Sequence, residues 1–565
     1  MKLALVTTPP SVRSGIGDYT RHLLPFLREH CDVEVFVSSG GEGEDYCGSL
    51  TKSVVDLAPK SFDRILYQLG NEQRHAFMAP LIRTIGGTVM QHDWVLFDMA
   101  LAAYPALARG GLKGHALALR EGGVEQGRIY LRNWLNRRRE KNRPFELDVD
   151  PAELQGTLLC GWHAPEAKGL WTADSAWLRL VGRECRRVSV RLASEPGRRV
   201  SLRQNMQSLA QLTWGKHDTD VLTAELQAGE DVLLEIATEG ITVSEEQRKH
   251  GDARRLGAFV REVQWEDATG KHRLDLSLPA VRPIQPMSLS RDRFALPFNR
   301  SIVRFADAFL VHSGYVRDLI VAERNSATPV GVLHHGAESR WRDEGRAGIR
   351  AKLGLPKDWH DDFLVVSFGG VQPHKRIDRV LAGVQKARER GARVRLVMVG
   401  KVQADGFDPH AMATMLGISD AVHFAGWVEE EEGWDWIHAG DICVNLRGPT
   451  SGGTSGGIFQ SFGLGRAVIV SDAAEQCELP DACTVKIPLG AGEVESLAGA
   501  LVDLAKDPAR RQNLEAAVRR FVDEECHWGK MAEQYAQYLE RFPGPRVTRK
   551  SLIAMQLQAR RTAAL

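Results

Sequence analysis

The sequence predicts an α/β protein built on two doubly wound, Rossmann-like parallel sheets, with an all-β unit inserted between parts of the first. Three observations carry this. Strand and helix signals alternate over the first hundred residues and again from about Arg291 onward, an order that calls for parallel strands joined by crossovers. From about Asp150 to Leu278, short alternating runs replace that pattern, as in a β-sandwich. Between Asp441 and Asp481, two apolar strands flank a loop of Gly, Ser and Thr that opens a short helix. Such a loop leaves N–H groups unpaired at a helix start, where the dipole favours an anion. A flexible surface loop is the plain alternative.

The chain has 565 residues, 43% apolar and 26% charged, the composition of a globular protein of about three domains. A net charge of +1 gives no reason to expect a nucleic-acid partner. Eight cysteines are scattered without CxxC pairs, which argues against a zinc site or disulfide scaffold and fits a reducing compartment. No apolar run reaches ~18 residues. The first residues, MKLALVTTPP, read as a buried strand rather than a signal peptide, so the expectation is a cytoplasmic protein.

In chain order, Lys2–Thr7 is a strand, Ser11–Gly17 a loop, and Asp18 caps a helix Tyr19–Glu29 with Leu23, Leu24, Phe26 and Leu27 as its apolar stripe. Strands follow at Cys31–Val37 and Arg64–Gln68. Gly15 and Gly17 line the cleft or simply make a tight βα turn. His92 follows the strand Thr88–Met90, so it projects at a carboxyl end, where ligands of such sheets sit. A neutral imidazole there can bond a ligand hydroxyl; alternatively it is a buried His satisfied by backbone. Asp93 orients it or binds ligand. Gly127–Arg143 is a basic helix, and Arg546–Arg561 a second basic stretch. Each is a solvated face or a peripheral contact with an anionic membrane at its inner face.

Within the insertion, strands are expected at Trp177–Val181, Val188–Leu192, Val200–Leu202, Val221–Leu226, Val232–Ile236 and Phe259–Val263. Trp162, Trp171 and Trp177 either stack sugar rings or, as we read them, fill the core. Beyond it, Leu296–Ser313 gives a helix and strand, and HHG at His334–Gly336 ends a strand before a linker near Ala337–Gly345. The second sheet begins at Phe363–Phe368, followed by Gly369, Gly370 and Lys375–Arg376 at the strand end. Val394–Val399, Ile442–Leu446 and Ala467–Val470 supply further strands, and helices are expected at Ile458–Leu464, Gly492–Ala505, Arg510–Phe521 and Trp528–Leu539. The domain plan is therefore 1–149 and 281–340 for the first lobe, 150–280 for the insertion, 341–540 for the second lobe and 541–565 for a basic tail.

These residues resemble family 4 glycosyltransferases, which have the GT-B fold: two Rossmann-like domains facing a cleft. The family pattern R-x-PT-x-GETSG…VSD…ELPD is matched by Arg447, Pro449, Thr450, GGTSG at Gly452–Gly456, Ser471–Asp472 and Glu478–Asp481. The resemblance covers roughly three-quarters of the chain, all but the insertion and tail. It implies a metal-independent, retaining transferase with no cofactor, using a nucleoside-diphosphate sugar as co-substrate and a glycan or lipid-linked acceptor, in a setting such as bacterial surface-polysaccharide synthesis. Lys375, with Arg376, would neutralise the leaving diphosphate; Gly370 stands where the family has Arg. Thr450, Gly453, Thr454, Ser455 and Gly456 would face donor phosphate, and Gly15 and Gly17 donor phosphate or acceptor. The backbone at Gly426 and Trp427 would face the base. Glu478 would lie near ribose or donor sugar, or serve as a cap. His92 and Gln460 would touch sugar or ribose, and Asp93, Asn71 and His75 the acceptor. The chain departs from the pattern at Gly453 and Gln460, where the family carries Glu. A non-catalytic glycan- or nucleotide-sugar-binding protein of the same fold is therefore the alternative. An NAD-binding reading fails for want of GxGxxG.

Overall fold

The structure, a computed structural model, describes residues 1–141, 158, 161–162, 168–180, 182–205, 207–215, 219–229, 232–241, 255–276, 293–324, 328–342, 345–402, 409–490 and 492–542. The expected basic tail and the end of the basic helix lie outside the described residues.

The first lobe opens with β1 (Lys2–Val6), whose apolar side chains are buried on both faces, as a central parallel strand requires. Helix α1 (Gly15–Leu27) follows. Its cap is Ser14, not Asp18 as the sequence was read: Ser14 Oγ accepts from the Gly17 N–H at 3.1 Å and donates to Glu72 at 2.7 Å. Gly15 and Gly17 are thus first-turn residues rather than loop, and Asp18 adds a favourable charge to that turn. The sheet continues through β2 (Asp32–Val37), β3 (Lys52–Ser53), β4 (Arg64–Leu69) and β5 (Thr88–Gln91). The basic helix is the end of a longer α2 (Gly111–Lys141), kinked where Gly123 has φ of +73°.

The chain then builds β6 (Leu170–Trp171), β7 (Ser175–Leu180), β8 (Cys185–Ala193), β9 (Arg199–Gln204), β10 (Gln207–Thr213), β11 (Thr219–Gly229), β12 (Val232–Glu239), β13 (Phe259–Asp267) and β14 (Gly270–Asp275). These make two antiparallel sheets, β10-β9-β12-β7 and β11-β8-β13-β14, with β6 on β13. Leu178, Leu180, Leu234 and Ile236 of one sheet share a core with Val188, Val190, Val260 and Val263 of the other. Because strand side chains alternate, Trp177 and Leu233 point to the opposite face. There they join the core of the second lobe. Trp177 is core, as expected, but the core it fills is the neighbour's.

The chain returns to the first sheet with β15 (Ala308–Val311), helix α3 (Gly314–Arg324) and β16 (Val330–Val332), completing the order β16-β15-β5-β4-β1-β2-β3. The second lobe holds β17 (Phe363–Phe368), helix α4 (Ile377–Glu389), β18 (Val394–Val399), β19 (Val422–Gly426), β20 (Ile442–Asn445), helix α5 (Gly456–Gly463), β21 (Val468–Ser471), β22 (Thr484–Ile487) and helix α6 (Glu493–Lys506). Its strand order is β19-β18-β17-β20-β21-β22, all parallel. Helix α7 (Trp528–Glu540) crosses back, burying Trp528, Tyr535 and Leu539 with Leu5, Tyr19 and Leu23. Two Rossmann-like lobes thus face a cleft, the GT-B arrangement. No described helix is long and apolar enough to cross a membrane.

Candidate functional site

Both lobes and the segment that joins them line one cavity of about 300 Å³. The first lobe gives Gly15, Asp18, Tyr19 and His22; the connection gives His335–Glu338; the second lobe gives Phe368, Gly369, Lys375 and Ser455–Gly457, Phe459 and Gln460; α7 gives Trp528. The strand ends of β17 and β20 bring Lys375 and the start of α5 to the same wall, which is where parallel sheets place ligands.

Lys375 is the distinctive cation. Among the described residues its Nζ makes no ion pair or hydrogen bond, and burial, with Arg447 beside it, lowers its ammonium to about 7. The ammonium folds over Gly369, where a Cβ would lie 2.8 Å from Nζ and where φ is +96°. A side chain there would displace the cation. Ser455 begins α5 without capping it; its Oγ accepts from Asn445 Nδ2 at 3.1 Å. Among the described residues, the Gly456 and Gly457 N–H groups have no backbone acceptor outside the helix. An unmatched cation thus shares a cavity with an uncapped helix N-terminus of eight residues. This arrangement is complementary to a pyrophosphate-sized anion.

Of the other residues singled out from sequence, Gly15, Ser455, Gly456 and Gln460 line this cavity. Arg376 does not. Its guanidinium is clamped by Glu493 and, at 3.0 Å, by Asp174, so its charge is already matched. Its backbone sits at φ +55°, ψ +40°, a left-handed conformation that costs a non-glycine residue roughly 1–2 kcal/mol. The Arg447 side chain, which sequence reasoning left unassigned, reaches His374 Nε2 at 2.9 Å and stands near Glu475 and Asp93.

Thr450 and Gly453 belong to a loop seated against the first lobe. Thr450 Oγ1 donates to Glu475 at 2.6 Å, Ser451 Oγ donates to Asp93 at 3.0 Å, and the Val95 N–H donates to the Ser451 carbonyl. A Cβ at Gly453 would fall 2.2 Å from Asp93 Oδ1, so Asp93 fills the space that a side chain at 453 would take. Asp93 also accepts from the Asn71 N–H at 3.0 Å, and burial raises its carboxyl. The Asn71 side chain is occupied by Asp98, and His75 is buried against the Gly70 backbone. Thr454 is half-buried.

His92 stands behind Tyr19, ring to ring at 4.6 Å. Both its nitrogens are engaged: Nε2 lies 2.8 Å from Gln68 and Nδ1 3.3 Å from His312. His312 in turn packs on His335, the member of this row that lines the cavity. Burial holds all three well below the usual imidazole range, His335 at about 4. Beyond the HHG triplet that holds His335, local sequence gives no sign of this convergence. Glu478 caps α3, accepting from the Gly314 and Tyr315 N–H groups at 2.7 and 2.6 Å. Trp427, 54% exposed, lies under the Arg13 guanidinium at 4.5 Å, bridging the lobes beside Gly426. Gly370 follows Gly369 at the end of β17. Among the described residues no three His, Cys, Asp or Glu side chains are grouped so as to hold a metal ion.

Residues 362–507 match the family model "Glycosyl transferases group 1". This segment spans β17 to α6 and holds Lys375, Arg376 and the Gly-rich loop, so the match falls on the second lobe. D-inositol 3-phosphate glycosyltransferase of Streptomyces scabiei (strain 87.22) is 32% identical over 155 residues, 25% of this chain and 34% of that protein. The same-named protein of Streptomyces avermitilis is 32% identical over 160 residues, 25% of this chain and 32% of that one. The chain thus spans about a third of the length of the curated relatives it matches. Among solved structures, sucrose-phosphate synthase from Thermosynechococcus elongatus is 13% identical, covering 96% of this chain and 98% of that one, with a TM-score of 0.46. HepE of Anabaena, in complex with UDP and glucose, is 17% identical over 45% of this chain and 68% of that one, with a TM-score of 0.39.

Proposed function

We propose that the protein is a retaining glycosyltransferase that moves a sugar from a nucleoside-diphosphate sugar to a hydroxyl of a glycan or lipid-linked acceptor, as in the building of a bacterial surface polysaccharide. The observation that carries this reading is the unmatched Lys375 ammonium sharing the interlobe cavity with the open N-terminus of α5. A leaving diphosphate develops charge as the glycosidic bond breaks, and preorganised donors aimed at that charge lower the barrier. Lys375 and the Gly456 and Gly457 amides serve as those donors. The sugar lies toward Gln460 and His335, and the acceptor enters from the side of Asp18, Tyr19 and His22. In front-face displacement the leaving phosphate oxygen takes the proton of the incoming hydroxyl, so the protein's part is positioning and charge stabilisation.

Incubating the protein with UDP-, GDP- and dTDP-sugars tests this. Slow release of free sugar and nucleoside diphosphate from one donor is expected, and with an acceptor the product keeps the donor's anomeric configuration by NMR. Binding without turnover on any donor, with or without acceptors, would favour the non-catalytic alternative, which the missing Glu side chains at Gly453 and Gln460 motivate.

A further inference from the structure

The inserted β unit touches the second lobe at one place of unusual chemistry. Asp174, just before β7, and Glu235 of β12 reach across to α4 beside the Trp177–Leu233 apolar contact. Asp174 Oδ2 lies 3.0 Å from Arg376 Nη2 and 3.9 Å from Arg379 Nη2. Glu235 Oε1 lies 3.7 Å from Arg379 Nη1. From the other side Glu493, the first residue of α6, grips Arg376 through both oxygens. All five side chains are at most 15% exposed. Burying this many charges is costly unless each is paired, so the network is held in one geometry.

What it holds is the turn that presents Lys375. Arg376 is the left-handed residue that starts α4, and no side chain caps that helix. Lys375 is its immediate neighbour and its ammonium has no hydrogen-bond or ion-pair partner among the described residues, so the turn and the packing around it fix where the ammonium stands. We infer that Asp174 is a positioning residue for the anion site: by anchoring Arg376 it sets Lys375 over Gly369, which makes the inserted β unit a working part of the donor site. This rests on the function proposed above, since it takes the ligand of Lys375 to be a diphosphate. It also gives Arg376 a role other than touching that ligand.

The test is a double-mutant cycle on the full chain, with UDP and inorganic pyrophosphate as probes in calorimetric titration. Asp174→Asn is expected to weaken both about tenfold in the wild-type background and to change neither by more than about twofold when Lys375 is already Met, because non-additivity marks residues that act through one another. Equal losses in both backgrounds, or none in either, would overturn the inference; equal losses mean that Asp174 serves folding alone. Should Asp174→Asn not fold, Asp174→Glu, which keeps the charge and moves it by one methylene, carries the same comparison. A wild-type protein that binds neither probe would retire the functional reading and this inference together, whereas normal binding with additive variants would retire only the inference.

Discussion

At the scale of single residues, Lys375 governs the site's response to pH. Its ammonium titrates near 7 in the free protein because it is buried and faces Arg447. A bound diphosphate would favour the charged form, so binding takes up a proton once pH exceeds about 7. Diphosphate affinity should therefore hold steady below pH 7 and fall as pH rises through it, by up to tenfold per unit. Titrations of the wild-type protein from pH 6 to 9 read this directly, and Lys375→Met should flatten the profile. A slope that persists in Lys375→Met would assign the titration to another group. The row His335, His312 and His92 titrates with the opposite consequence for folding. Each is held neutral by burial, below its unfolded value near 6.5. Folded-state stability is then complete above about 6.5 and is lost as pH falls below that, for His335 through about 4. Thermal melts should show the midpoint dropping over that window, and less steeply in His335→Asn. The lysine was legible in sequence because it stands at a strand end; the row was not, because His92 and His312 lie 220 residues apart and meet only through the sheet.

At the scale of elements, the strands buried on both faces were the easiest to read. Phe363–Phe368 and Val394–Val399 are apolar but for Ser367 and Arg395, and their observed bounds match the reading residue for residue. The edge strands β10 and β14 were missed: QSLAQLT and GKHRLD are largely solvated and carry little apolar alternation. The cap of α1 was misplaced by four residues because Asp18 and Ser14 are both good caps by type, and only the geometry of Gly17 decides. Within the apolar contact of α7 with α1 sits one buried polar pair, the hydroxyls of Tyr19 and Tyr535 at 2.9 Å. Tyr19→Phe removes a partner from a buried hydroxyl and should cost about 1–3 kcal/mol in denaturant unfolding. A loss near zero would mean that Tyr535 finds another acceptor.

At the scale of the whole molecule, the second lobe shares a core with each of the other parts: the β unit lends it Trp177 and Leu233, and α7 enters the core of the first lobe. The sequence showed the β unit as a separate stretch, but Trp177 and Leu233 look like ordinary strand residues; that they face outward into the second lobe follows only from the register of β7 and β12. Trp177 is 1% exposed, and Trp177→Ala should cost roughly 3–5 kcal/mol. It should also split a shared melting transition of the β unit and second lobe into two, seen by calorimetry. A single transition, shifted but intact, would mean that the apolar contact is not what joins them. The account as a whole stands on a diphosphate held between Lys375 and the start of α5. Its most direct test is the affinity of UDP and GDP relative to their nucleosides, measured on the wild-type protein and on Lys375→Met. The account predicts that the better nucleoside diphosphate binds at least tenfold tighter than its nucleoside and that Lys375→Met removes most of that difference; equal affinities for diphosphate and nucleoside, or an advantage untouched by the substitution, would contradict it.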